Sequence, residues 1–277
     1  MRQMRLVGLC LTTALVLAAI GASSASALPE IGRCVAKAGG KYTNNNCTKK
    51  VTSGGSFEWL KGTGGGNKFT ATSGEAVLQG ESGTTIVCKN STAVGKYDED
   101  GTAHAIKGVE SVVATFHECE DPGIGKICHS AGQGEGVIVT ETLEGNLGYI
   151  VKKPAKVGQE LHPTKKGGPF AIFECGLPSS GGIKVTVQEN TSGAPGSKGG
   201  GNCIISTLTE VNVMATSVGD VFKASGPGKQ EPLSFENKKP PLCNLETEFA
   251  AFPAPYERST QSEIAEVFSE ELLEIKA

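Results

Sequence analysis

The chain has 277 residues, 26 basic against 29 acidic, and only 5% aromatic residues. A net charge of −3 is the wrong sign for a general nucleic-acid or anionic-membrane binder. Thirty-eight glycines and 13 prolines cut the sequence into short pieces, while its length suffices for a substantial core in one domain or two.

The first 27 residues read as a secretory signal peptide. Arg2 and Arg5 form a basic start, an apolar run extends from Leu6 to Ile20, and Ala25-Ser26-Ala27 is an A-x-A cleavage site. The run is short for a bilayer span, and no later segment is long and apolar enough to be one. Cys10 sits too early, behind Leu9, for a lipoprotein signal, so it leaves with the leader. Cleavage after Ala27 leaves 250 residues with 24 basic against 29 acidic groups, a net charge of −5. The expected setting is therefore secreted, extracellular or at the cell surface.

Eight cysteines remain: Cys34, Cys47, Cys88, Cys119, Cys128, Cys175, Cys203 and Cys243. An even number in an exported chain reads as a disulfide framework, and its connectivity stays open among many pairings. Residues 28–53, which begin "LPEIGRCVAKAGGKYTNNNCTKK", are polar and lysine-rich. They read as an N-terminal appendage closed by Cys34 and Cys47. The "LPEIG" string resembles a sortase signal, but it lies at the wrong end of the chain to act as one.

Residues 54–277 read as a β domain, with a possible break near 155–168. "GGIKVTVQ" sets Ile183, Val185 and Val187 against Lys184, Thr186 and Gln188. "PLCNLETEF" sets Cys243, Leu245, Thr247 and Phe249 against Asn244, Glu246 and Glu248. "SFEWLK", "TTIVCK", "GVESVVATFHE", "EGVIVTETL", "PFAIFEC" and "CIISTLTEVNVMA" alternate less cleanly. Period-two runs at this spacing predict an all-β fold, an antiparallel sandwich or barrel with glycine-rich loops. The loops at 62–67 and 192–202 are expected to be mobile, and Asp100-Gly101 in "KYDEDGT" is a hairpin-turn pair. Residues 262–277 are ambiguous: Ile264, Phe268, Leu272 and Ile275 fit a helical stripe, yet "LLEIKA" reads equally as a strand.

No pattern demands catalysis. In "TFHECEDPGIGKICHS" the order His117, Cys119, Cys128, His129 lacks paired zinc-ligand spacing, and the Pro-Gly turn brings Cys119 and Cys128 together. Export favours a disulfide there over zinc. "DED" does not complete an EF-hand. No G-x-S-x-G, H-E-x-x-H or P-loop occurs among the motifs. A dispersed hydrolase site would draw on His162, or on His117 with Glu118; the other histidines are His104 and His129. Carboxylate pairs such as Glu118/Glu120 and Glu141/Glu144 fit a solvated strand face better than a glycosidase. Trp59 alternates with Phe57 and is expected in the core. The sequons at Asn46, Asn90 and Asn190 are discounted beside a bacterial-looking leader.

The strings "LPEIGRC", "GGKYTNNNCTKK", "GSFEWLKG", "TTIVCK", "TFHECE", "LEGNLGYI" and "GPFAIFECG", with the glutamate-rich ending, resemble a group of exported proteins of soil actinobacteria over nearly the whole mature chain. The resemblance implies an origin and an export route; it implies no activity, and no functional residue is carried over. It implies the pairings Cys34–Cys47, Cys119–Cys128 and Cys88–Cys175. Cys203 and Cys243, each beside an irregular loop, make a further pair.

The sequence therefore predicts a secreted, disulfide-held β protein, leaning to non-enzymatic, with a structural or interaction role toward an extracellular or cell-wall partner. No catalytic, cofactor-binding or metal-ligating residue is assigned, and no cofactor is expected. The alternatives are a secreted hydrolase with a dispersed site, and a ligand-binding β-barrel, which requires an apolar internal cavity.

Overall fold

The computed structural model describes residues 29–98, 106–188, 200–201, 203–236, 242–250 and 256–277. The leader over 1–27, the Asp100-Gly101 turn, His104, Asn190 and most of the 192–202 loop lie outside these residues.

The described chain is almost entirely antiparallel β-structure. Its strands are β1 (Glu30–Tyr42), β2 (Lys50–Lys61), β3 (Lys68–Ser73), β4 (Ala76–Gly80), β5 (Thr85–Tyr97), β6 (Gly108–Asp121) and β7 (Lys126–His129). They continue with β8 (Ile138–Val139), β9 (Leu143–Lys152), β10 (Ala155–Pro163), β11 (Pro169–Cys175), β12 (Ile183–Gln188) and β13 (Gly200–Gly201). The remainder are β14 (Ile204–Leu208), β15 (Met214–Gly226), β16 (Lys229–Glu231), β17 (Leu242–Cys243), β18 (Leu245–Ala250) and β19 (Glu257–Lys276).

Strand pairing closes on itself twice. The first ring runs β19–β3–β5–β6–β9–β10–β14–β15 and back to β19. The second runs β19–β4–β5–β6–β7–β11–β12–β18 and back to β19. Each is an eight-membered antiparallel barrel, and closure removes the exposed sheet edges that invite aggregation. The rings share β5, β6 and β19. Between β19 and β5 the first ring uses β3 and the second uses β4, the two strands being divided at Gly74-Glu75. The C-terminal half of β5 belongs to the first ring and its N-terminal half to the second.

Alternation follows the expected parity in β12 but not around β18, where Asn244 and Glu246, expected on the outer face, are buried along with Leu245 and Thr247. Val185 is fully buried and Val187 nearly so, while Lys184 faces out. A continuous apolar core joins residues of both rings, including Ile86, Phe173 and Leu245 from the second and Val157, Leu161 and Phe222 from the first.

The first ring closes through glycine. A Cβ on Gly145 of β9 would lie 1.7 Å from the Glu160 carbonyl oxygen, and one on Gly108 would lie 2.1 Å from the Gly145 carbonyl oxygen. Neither position admits any other residue without moving backbone. At the end of this ring β1 pairs with β19, and Ile31 bridges to Ile106. β1 then forms a hairpin with β2, which carries the Cys34–Cys47 disulfide. β2 runs without interruption across residues 53 and 54, and β10 runs through 155–163.

The 62–67 loop, expected to be mobile, is held against the first ring. Arg33 Nη2 donates to the Thr63 carbonyl at 3.2 Å, and the Gly64 N–H donates to Glu271 at 2.5 Å. Trp59, expected in the core, lies half-buried outside it. Its indole N–H donates to Glu30 at 2.7 Å, and the Lys276 ammonium sits 4.4 Å from its ring.

All eight cysteines are paired, but two pairings differ from those implied by the resemblance. Cys34–Cys47 and Cys203–Cys243 form as expected. The others are Cys88–Cys119 and Cys128–Cys175, in place of Cys119–Cys128 and Cys88–Cys175. The register supplies the reason. The Pro-Gly turn does make a hairpin, pairing Glu120 with Ile127, and one further step sets Cys119 beside Cys128. Cys119 also stands directly opposite Cys88, and Cys128 opposite Cys175, so four cysteines lie in one row across β5, β6, β7 and β11. Bonding the middle two would strand Cys88 and Cys175 three strand spacings apart, about 14 Å, beyond the roughly 7 Å a disulfide spans.

Residues 262–277 belong to a strand, β19. Ile264, Phe268 and Leu272 have the same parity, and that face is turned outward, with Ile264 72% exposed. The inward face carries Glu263, Ala265, Val267 and Ser269. The middle of β19 is thus patterned inside out, with bulky apolar residues toward solvent and small or polar residues toward the interior.

Candidate functional site

The inversion of β19 has a structural counterpart inside the barrel. Ala71, Ala93 and Ala114 are cross-strand neighbours on β3, β5 and β6, and all three point inward. Val267 of β19 continues the row beside Ala71, and a wall of such small side chains leaves interior volume over. The result is a cavity of about 170 Å³, lined by both rings and mainly apolar. An engineered apolar cavity of about 150 Å³ in another protein holds benzene, so this space admits a molecule of that class. The lining includes exposed Glu210 and Val213, so the cavity reaches the surface at the β14–β15 connection.

Polar groups gather where the rings meet. Glu263 is the first β19 residue beyond the stretch paired with β4, and Asp220 of β15 faces the same interior. The Ser91 hydroxyl donates to one Glu263 oxygen, and the Gln261 amide donates to the other at 2.6 Å. Ser73 and Ser91 share a further hydrogen bond at 2.9 Å. Both Glu263 oxygens are therefore satisfied.

Asp220 is not. It is 7% exposed, and its Oδ1 has no hydrogen-bond partner among the described residues. Burial raises its carboxyl to about 7; a hydrogen bond from Ser206 opposes the rise, and the nearby Glu263 charge adds to it. A buried carboxylate oxygen without a donor costs free energy, and native interiors seldom retain one without a use. The cavity's lining carries the carboxylates Asp220, Glu263 and Glu210 and, among the described residues, no lysine, arginine or histidine.

The residues considered from sequence lie elsewhere. His117 and His129 are half-buried on β6 and β7, and neither lines the cavity. His162 Nδ1 lies 3.8 Å from Glu144 and 3.3 Å from the Pro163 carbonyl oxygen. Among the described residues no serine or threonine hydroxyl joins that pair. Glu118 and Glu120 share the outer face of β6, where Glu118 is ion-paired to Lys89. Glu141 is exposed and Glu144 half-exposed. Glu160 lies beside Cys203 and Cys243, but those sulfurs are bonded to each other and offer no thiolate to a metal.

Sequence reasoning passed over Asp220 and Glu263. A usable signal existed for the first. Asp220 is one of four aspartates in the chain, and it sits at inward parity between Val218 and Phe222. Comparison with protein-family models, curated proteins and solved structures finds no match. The class is therefore defined by the fold and site alone: a disulfide-stabilised antiparallel double barrel with an acid-bearing internal cavity.

Proposed function

We propose that the protein is an exported, non-catalytic binding protein whose barrel interior takes a small, largely apolar molecule. The carrying observation is the cavity of about 170 Å³ behind the alanine row. A well-packed eight-stranded barrel fills its interior with side chains, and one that binds leaves room. Four disulfides support an oxidising, extracellular setting. A role in contacting a partner at the cell surface is the second reading, favoured by the outward row of Ile264, Phe268 and Leu272.

Toluene is a suitable probe of the first reading. It should raise the melting temperature in proportion to occupancy and shift the NMR signals of Ala71, Ala93 and Ala114. Ala93→Leu, which fills the space, should remove both effects while the barrel still melts cooperatively. Unchanged melting and unchanged signals in toluene-saturated buffer would refute the proposal.

A further inference from the structure

We infer that the molecule the cavity takes carries a cationic, hydrogen-bond-donating head, a primary amine being the simplest, seated against Asp220 beside Glu263 with its apolar body along the alanine wall. The inference rests on the cavity-binding reading and goes further by naming the ligand's chemistry.

Three observations carry it. The first is the orphaned Asp220 Oδ1, buried and lining the cavity. An acceptor in that state calls for a donor. The second is the asymmetry of the pair. Glu263 has a donor on each oxygen, from Ser91 and Gln261, so the protein has completed one carboxylate and left the other open. The third is sign. The cavity's acidic groups are Asp220, Glu263 and Glu210, and no basic side chain among the described residues faces them. A neutral donor would satisfy Oδ1, but only a cation also relieves the repulsion between the two interior carboxylates. An anionic ligand would add to it.

An ammonium group must shed water to enter, which costs several kcal/mol for an isolated ion. Here the cost is offset, because the carboxylates are already desolvated and gain a partner. Hydrogen bonds to charged groups contribute more than neutral ones, enough for about a tenfold preference over an isosteric apolar molecule. Exposed Glu210 at the opening, held by the Thr209 hydroxyl and the Gly219 N–H at 2.9 Å, presents the same sign to an approaching cation.

The test compares benzylamine with toluene by calorimetry on the intact oxidised protein. At pH 8, with Asp220 ionised, benzylamine should bind about tenfold more tightly. That preference should fade toward pH 5, as Asp220 takes up a proton, while toluene binding stays constant. Asp220→Asn should abolish the preference at pH 8 and leave toluene binding intact. If that variant does not fold, the pH series on the unaltered protein decides. Equal affinities at pH 8 would overturn the amine inference and leave the cavity reading standing. Binding of neither probe would overturn both.

Discussion

The two rings solve one closure problem with different chemistry. The second ring is short-stranded on its private side, where β7 has four residues and β18 six, and it is riveted by Cys88–Cys119 and Cys128–Cys175 in one row. The first ring has longer private strands, β9, β10 and β15, and draws them together by deleting side chains at Gly108 and Gly145. The second ring resists opening through covalent bonds, and the first through close backbone contact. The alanine row and Asp220 lie on the first ring, whose private strands β9, β10 and β15 contain no cysteine. The cavity's acidic end lies in the ring with longer strands, beside the ring riveted by two disulfides in one row.

The largest expected effect breaks the second ring. Replacing Cys128 and Cys175 together by alanine opens a 47-residue separation and should cost about 4 kcal/mol, read from urea unfolding. Non-reducing peptide mapping of the parent should yield Cys88 linked to Cys119; a Cys119–Cys128 peptide would contradict the four-cysteine row.

The corresponding assault on the first ring is Gly145→Ala. Its added carbon would meet the Glu160 carbonyl, so about 3 kcal/mol of stability should be lost. Gly134→Ala, with open space around it, serves as the near-neutral control.

Acidification sharpens the comparison from the other direction. Asp220 and Glu274 are both raised to about 7, chiefly by burial, with Lys276 opposing the rise at Glu274. Each holds a proton when folded at pH values where the unfolded chain has released it. Their contribution is complete below an unfolded carboxyl pKa of about 4 and is lost as pH rises through about 7. Stability should therefore rise on going from pH 8 to pH 5, by on the order of 3 kcal/mol. Asp220→Asn should shrink that rise; a flat profile in the parent would show that neither group is buried as described.

The smallest effect concerns the ring's outer end, where the Lys276 ammonium lies 4.2 Å from the Tyr42 ring and 4.4 Å from that of Trp59. Lys276→Met should cost about 1 kcal/mol, visible as a small fall in the urea midpoint. It should leave the pairing of β3 with β19 undisturbed, as monitored by amide exchange.

Legibility in the sequence divides along the same line. The second ring was legible where its strands alternate in the ordinary sense, as in Val185 and Val187 of β12 or Phe173 and Cys175 of β11, and not around β18, where Asn244 and Glu246 are buried on either side of Leu245. Its cysteines were legible as bonded but not as paired, since a row of four allows neighbours to be chosen only once strand order is known. The first ring hid its site. In β19 the apolar residues face out, so Ile264, Phe268 and Leu272 mimic a helical stripe while the inward Glu263 passes for surface. Asp220 gave a parity signal in a strand whose ends are irregular. The row that leaves the cavity is made of cross-strand neighbours far apart in the chain, and no window along the sequence contains Ala71, Ala93, Ala114 and Val267 together.

β19 bears on how the molecule comes into being. Every wall it joins lies N-terminal to it, and it is a member of both rings. A chain made or threaded from its N-terminus therefore exposes raw sheet edges on β3, β4, β15 and β18 until residues 257–276 emerge. Neither barrel can close piecemeal as its own strands appear. The chain stays open until β19 emerges and then shuts both rings with one strand, as a zip fastener closes two panels from a single slider.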